Sequence, residues 1–146
     1  MIVRSFRGVT AVVACAVMAL ALAACGSSPT EPTSAPFSQT DLRNGSGAEA
    51  APGKVLTVHY TGWLYDGSKP DGKGVQFETS VGTTPFSFTL GFGSVITGWD
   101  QGLPGMKVGG LRRLVIPPSL AYGPVRNGPI PANSTLVFEI ELLDVQ

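Results

Sequence analysis

The sequence predicts an α+β domain that is mainly β, an antiparallel sheet with one short helix covering its apolar face. Three observations carry this. From Gly53 onward, glycine and proline recur so often that almost no stretch has room for a helix of about three turns. The one long gap, Ala132–Gln146, reads as a strand, with Leu136, Phe138, Ile140 and Leu142 on one face and Glu139 and Glu141 on the other. Val55-Leu-Thr-Val-His-Tyr60 alternates in the same way.

The remaining elements follow in chain order. Asp41-Leu-Arg43 is a candidate strand, and Asn44-Gly-Ser-Gly47 stops it. After the Val55–Tyr60 strand come two turn signals, Asp66-Gly67 and Asp71-Gly72. Val75–Glu78 is a further candidate strand, and Pro85–Leu90 and Leu111–Ile116 are two more. Only Thr97–Leu103 suits a helix, for about two turns.

The N-terminus sets the expected compartment. Arg4 and Arg7 precede an uncharged apolar run, Val9–Ala24, that ends Leu22-Ala-Ala-Cys-Gly26. A positive start, a short apolar stretch and small residues at its end describe a signal peptide over residues 1–24. The run falls short of the ~20 residues that span a bilayer. Its Leu-Ala-Ala-Cys ending resembles the lipobox of bacterial lipoproteins, which implies that Cys25 is lipidated and becomes the mature N-terminus. Cys15 would leave with the signal, and Cys25 alone makes no internal disulfide. More than one acyl chain anchors a protein stably on a membrane that it does not cross. Residues 25–36 have the Ser/Thr/Pro-rich composition of a tether. A single domain is expected over residues 37–146.

Charge and motifs exclude several function classes. The chain carries ten basic and ten acidic residues, and with Arg4 and Arg7 removed the balance is slightly acidic, so no nucleic-acid partner is expected. His59 is the only histidine, and within a strand it reads as a structural hydrogen-bonder. With no second histidine and no cysteine cluster, no metal site and no cofactor are expected. Gly-x-Ser-x-Gly is absent, no phosphate loop appears, and Gly91-Phe-Gly-Ser-Val-Ile96 fails the dinucleotide fingerprint at its last position. What remains is a supply of aromatics beside Gly, Pro or short polar segments: Phe77, Phe86, Phe88, Phe92, Trp99 and Tyr122. Such rings either pack a core or wall a pocket for an apolar ligand.

Val58-His-Tyr-Thr-Gly-Trp-Leu64, Phe77-Glu-Thr-Ser80, Val95-Ile-Thr-Gly-Trp-Asp-Gln-Gly102, Ala121-Tyr-Gly123 and Thr135-Leu-Val-Phe-Glu-Ile-Glu-Leu142 occur in this order. Together they closely resemble the FKBP-type peptidyl-prolyl cis-trans isomerases, from about Asp41 to the C-terminus. The resemblance implies a five-stranded antiparallel sheet wrapped around one short helix. It also implies rotation of X-Pro bonds in proline-containing polypeptide clients, and macrolides such as rapamycin as pocket ligands.

Carried over by position, the resemblance makes Tyr60, Phe77, Glu78, Trp99, Tyr122 and Phe138 the catalytic set, with Trp99 as the pocket floor. Phe86, Phe88, Val95, Ile96 and Ile130 become substrate-binding, and the Ile96 N–H and the Tyr122 hydroxyl become donors to ligand carbonyls. Departures from the family pattern cluster near the pocket. Glu78 stands where Asp is usual, and Thr83 falls near an Arg that often pairs with that acid. The Tyr122–Ile130 loop is about one residue short, with Arg126 near a usual His and Pro129 where Ile is common. The Tyr65–Gly74 loop carries extra Gly and Pro. The leading expectation is a lipid-anchored, monomeric prolyl isomerase for protein folding outside the cytoplasm. The alternative is a non-catalytic proline-segment binding module or chaperone on the cell envelope.

Overall fold

The structure, a computed structural model, describes residues 34–146. The expected signal peptide, Cys25 and the tether up to residue 33 lie outside the described residues.

Six strands, one α-helix and one 3-10 turn make up the domain. The strands are β1 (Ser38–Arg43), β2 (Val55–Tyr65), β3 (Lys73–Thr79), β4 (Phe86–Thr89), β5 (Leu111–Ile116) and β6 (Leu136–Val145). The helix α1 spans Thr97–Gly102, and the 3-10 turn spans Pro118–Leu120. All strand pairs are antiparallel, in the order β1-β5-β6-β2-β3, with β4 also paired to β2. β4 runs along Val55–Val58 of β2 and β3 along Thr61–Tyr65, so the two share one edge. The sheet is therefore five strands wide although six strands build it.

Alternation explains the long central strands. Arg112, Leu114 and Ile116 of β5 are buried, and Leu111, Arg113 and Val115 are half-buried. On β6 the buried Leu136, Phe138, Ile140 and Leu142 meet Leu56 and Val58 of β2 in the core. β1 is the exception, exposed along its whole length. Its outer edge position leaves it held by the ladder to β5 and by two ion pairs: Arg43 pairs with Glu141, and Arg112 donates through Nε (2.6 Å) and Nη2 (3.1 Å) to the Asp41 carboxylate.

Six residues are too few to hold a helix in water, and Ile96 at its N-cap offers no side-chain cap. Packing holds α1 instead. A Cβ on Gly98 would lie 2.4 Å from Ile116 Cγ2, and one on Gly102 would lie 2.6 Å from Leu114 Cδ2. The two glycines let the helix backbone press against β5, which seats Trp99 and Leu103 in the core. Nη1 of Arg112 then donates to the carbonyls of Gly102 (2.8 Å) and Pro104 (3.1 Å) at the helix end. A cation there suits the helix dipole and meets carbonyls that have no partner within the helix.

Candidate active site

Tyr60, Glu78, Phe86, Ser94, Val95, Ile96, Trp99, Tyr122 and Phe138 line a cavity of about 170 Å³. β2, β3, β4 and β6 supply Tyr60, Glu78, Phe86 and Phe138. The segment leading into α1 supplies Ser94–Ile96, α1 supplies Trp99, and Tyr122 follows the 3-10 turn.

Trp99 is 4 % exposed and forms the floor. Its ring centroid lies 5.2 Å from Tyr60, 5.3 Å from Phe138, 5.6 Å from Phe88 and 6.3 Å from Phe86. The Tyr60, Phe138 and Phe86 contacts are edge-to-face, a geometry that the ring quadrupoles favour. The indole N–H is buried without a hydrogen-bond partner. Gly62 makes room for this cage. A Cβ there would lie 2.6 Å from Phe77 Cζ and 2.8 Å from Phe138 Cε1, so only glycine admits both rings.

Polar groups are few. Burial first, then the neighbouring Glu78 carboxylate, pushes the Tyr60 hydroxyl up to about 12. Burial and the Glu78 charge also raise the Tyr122 hydroxyl, an effect that the Asn127 side chain partly offsets. Both phenols therefore stay protonated, and stay donors, at any ordinary pH. The Ile96 backbone N–H enters no hydrogen bond among the described residues and is available to a ligand carbonyl.

Eight of the eleven expected pocket residues within the described chain thus meet in this cavity. The other three sit elsewhere. Phe77 and Ile130 line an adjoining cavity of about 370 Å³ with Glu78, Tyr122, Asn127 and Pro129, and Phe77 meets Phe138 edge-on at 5.7 Å. Phe88, expected to bind substrate, is a core residue stacked behind Phe86 at 5.5 Å. It shares Phe86's face of β4 and lies two residues deeper, so it braces the wall without lining it. Ser94 and Asn127 were not anticipated, and Pro129 was noted only as a departure from the family pattern. Small polar and loop residues carry no periodicity that would mark them.

His59 does serve structure, its Nδ1 lying 3.1 Å from Ser80 Oγ, which also accepts from the Tyr60 N–H. A third depression, of about 220 Å³, opens between β1 and the Gly105–Gly110 segment. Of its cations, Arg43 and Arg112 are engaged by Glu141 and Asp41, and Lys107 forms no ion pair among the described residues.

A small, largely aromatic cavity with two or three hydrogen-bond donors suits a compact apolar ring flanked by carbonyls. The fold and the cavity together define a class, an antiparallel sheet wrapped on a helix whose tryptophan floors a binding pocket. Comparison with known proteins gives the family. The sequence model of the FKBP-type peptidyl-prolyl cis-trans isomerases matches residues 47–143. An FK506-binding protein of Neisseria meningitidis serogroup B is 50% identical over 107 residues, covering 72% of this chain and 92% of the relative. FK506-binding protein 1 of Aspergillus oryzae is 44% identical over 108 residues, 71% of this chain and 93% of the relative. Among solved structures, that of AtFKBP13 aligns with a TM-score of 0.65 and 36% identity, covering 78% of this chain and 98% of that one. FkpA from Escherichia coli aligns with a TM-score of 0.62 and 42% identity, over 75% of this chain and 48% of that one. The chain belongs to the FKBP-type family and is a peptidyl-prolyl cis-trans isomerase.

Proposed function

We propose that this isomerase works outside the cytoplasm, anchored to the bacterial membrane through lipidated Cys25, on proline-containing segments of folding proteins. The aromatic cavity over Trp99 carries the catalytic part of this reading. An X-Pro bond crosses a barrier of ~18–20 kcal/mol because twisting it breaks amide resonance. The twisted amide has lost charge separation, so its carbonyl is less polar and its nitrogen is pyramidal. A pocket walled by rings suits that state better than the planar one, and each ~1.4 kcal/mol of such preference is worth tenfold in rate.

In this reading the proline ring lies on Trp99 between Tyr60, Phe86 and Phe138. The Ile96 N–H and the Tyr122 hydroxyl hold flanking carbonyls, and no proton moves. The macrolides expected from the resemblance would compete for the same floor, and the names of the relatives, FK506-binding proteins, support that. The domain acts as a monomer.

The export signal and the Cys25 motif support the location, and no helix among the described residues is long and apolar enough to cross a membrane. Membrane fractionation of cells expressing the full chain tests it. The wild type is expected with the membranes and Cys25→Ser in the soluble fraction. A variant that still pellets with membranes removes the lipid anchor from the account.

A further inference from the structure

We infer that Glu78 makes this isomerase selective for prolines flanked by a cationic side chain, lysine or arginine. This rests on the reading above, in which the proline enters over Trp99. Among the described residues, Glu78 is the one charged residue lining the proline cavity and also the one charged residue lining the larger cavity beside it. Glu78 and Tyr122 form the boundary between the two, so a side chain that leaves the first for the second passes the carboxylate. Beyond it, Phe77, Pro129 and Ile130 offer apolar wall, and Asn127 offers an amide. That combination fits a long alkyl stem with a charged head.

The carboxylate also lacks a counter-charge. Asp41, Asp71, Glu139 and Glu141 each form an ion pair, and Glu78 forms none among the described residues. Arg126 is the only cation in the Tyr122–Ile130 loop, and its Nε donates to the Gly128 carbonyl. Thr83, near the position where the family often carries a pairing Arg, donates its hydroxyl to the Ser80 carbonyl and brings no charge. A flanking lysine supplies the missing cation, and a flanking glutamate is repelled. The site is open to water, so the preference is modest, about two- to fivefold per charge in kcat/KM.

The test uses the full-length protein and proline peptides that differ only in the residue before or after the proline: Lys, Leu or Glu. The expected result is kcat/KM in the order Lys, Leu, Glu at one of the two positions, with a spread that shrinks as salt rises. In Glu78→Gln the Lys-to-Glu ratio falls towards one, and reading a ratio cancels any general loss of turnover in the variant. Should Glu78→Gln not fold, the salt dependence of the wild-type ratio decides alone. Equal values for the three peptides at both positions, or a ratio that survives Glu78→Gln, overturns the inference and leaves the isomerase reading intact. Failure to accelerate any of the peptides overturns the proline-pocket reading itself.

Discussion

Trp99 touches Tyr60, Phe86, Phe88 and Phe138 at once, so one ring is both a core residue and the floor of the cavity. Truncating it therefore affects two properties together. Trp99→Ala is expected to lose about 3–5 kcal/mol of stability and most of the isomerase rate. Tyr122→Phe removes one hydroxyl from a half-exposed side chain and keeps the ring. It is expected to leave the melting temperature nearly unchanged and to lower kcat/KM by about two- to tenfold, the worth of one hydrogen bond. Thermal unfolding and peptide kinetics on both variants check this pair, and negligible loss of rate in both would place the catalytic pocket elsewhere. The same residues show how far a sequence reading reaches. The Val95-Ile-Thr-Gly-Trp99 motif identified the floor. The resemblance carried Phe86 and Phe88 over together as substrate-binding, but position along a motif does not report depth, and Phe88 lies in the core behind Phe86.

β2, β5 and β6 were legible because apolar residues recur at every second position, although Arg112 interrupts the buried face of β5 and Val137 is buried on the other face of β6. β1 was legible only from Asp41, since Ser38-Gln-Thr40 has no apolar face to reveal. Its hold comes from ladder bonds and from the ion pairs of Asp41 and Arg43, none of which leaves a periodic trace. The expected helix, Thr97–Leu103, differs from the observed one by a single residue at its end. The short 3-10 turn that presents Tyr122 has too few residues for any period to show.

Gly98 is where an element and the site meet, because the same close approach that packs α1 on Ile116 positions Trp99. Gly98→Ala overfills that contact and is expected to cost about 1–3 kcal/mol, with a drop in isomerase rate as Trp99 shifts. Adding Ile116→Ala, which removes all three atoms the new methyl group would meet, is expected to restore part of the rate. A Gly98→Ala protein as stable and active as wild type would show that the contact does not set the helix position.

Across the whole molecule, charges are few, and eight of the seventeen charged side chains among the described residues form ion pairs. Hydrogen bonds from Arg112 hold the Asp41 carboxyl below its usual range. Burial pushes Glu139 up, but Lys73 and Arg113 outweigh it and the net shift is down. A carboxylate with a lowered folded-state value stabilises the fold above its unfolded value and loses that contribution as pH falls through the folded one. Stability is therefore expected to hold from neutrality to about pH 5 and to fall below about pH 4. Asp41→Asn is expected to be less stable than wild type at pH 7 and to lose less on acidification, as thermal melts across pH would show. An acid limb as steep in Asp41→Asn as in wild type would remove this pair from the explanation.

At this scale the central claim is that one aromatic cavity, with no metal and no nucleophile, turns over X-Pro bonds. The direct measurement is the cis-to-trans time course of a proline peptide with the purified protein, with and without rapamycin. The expected result is acceleration that the macrolide abolishes and that Trp99→Ala largely lacks. Binding of the peptide with no acceleration, or acceleration that a bound macrolide leaves untouched, would contradict it.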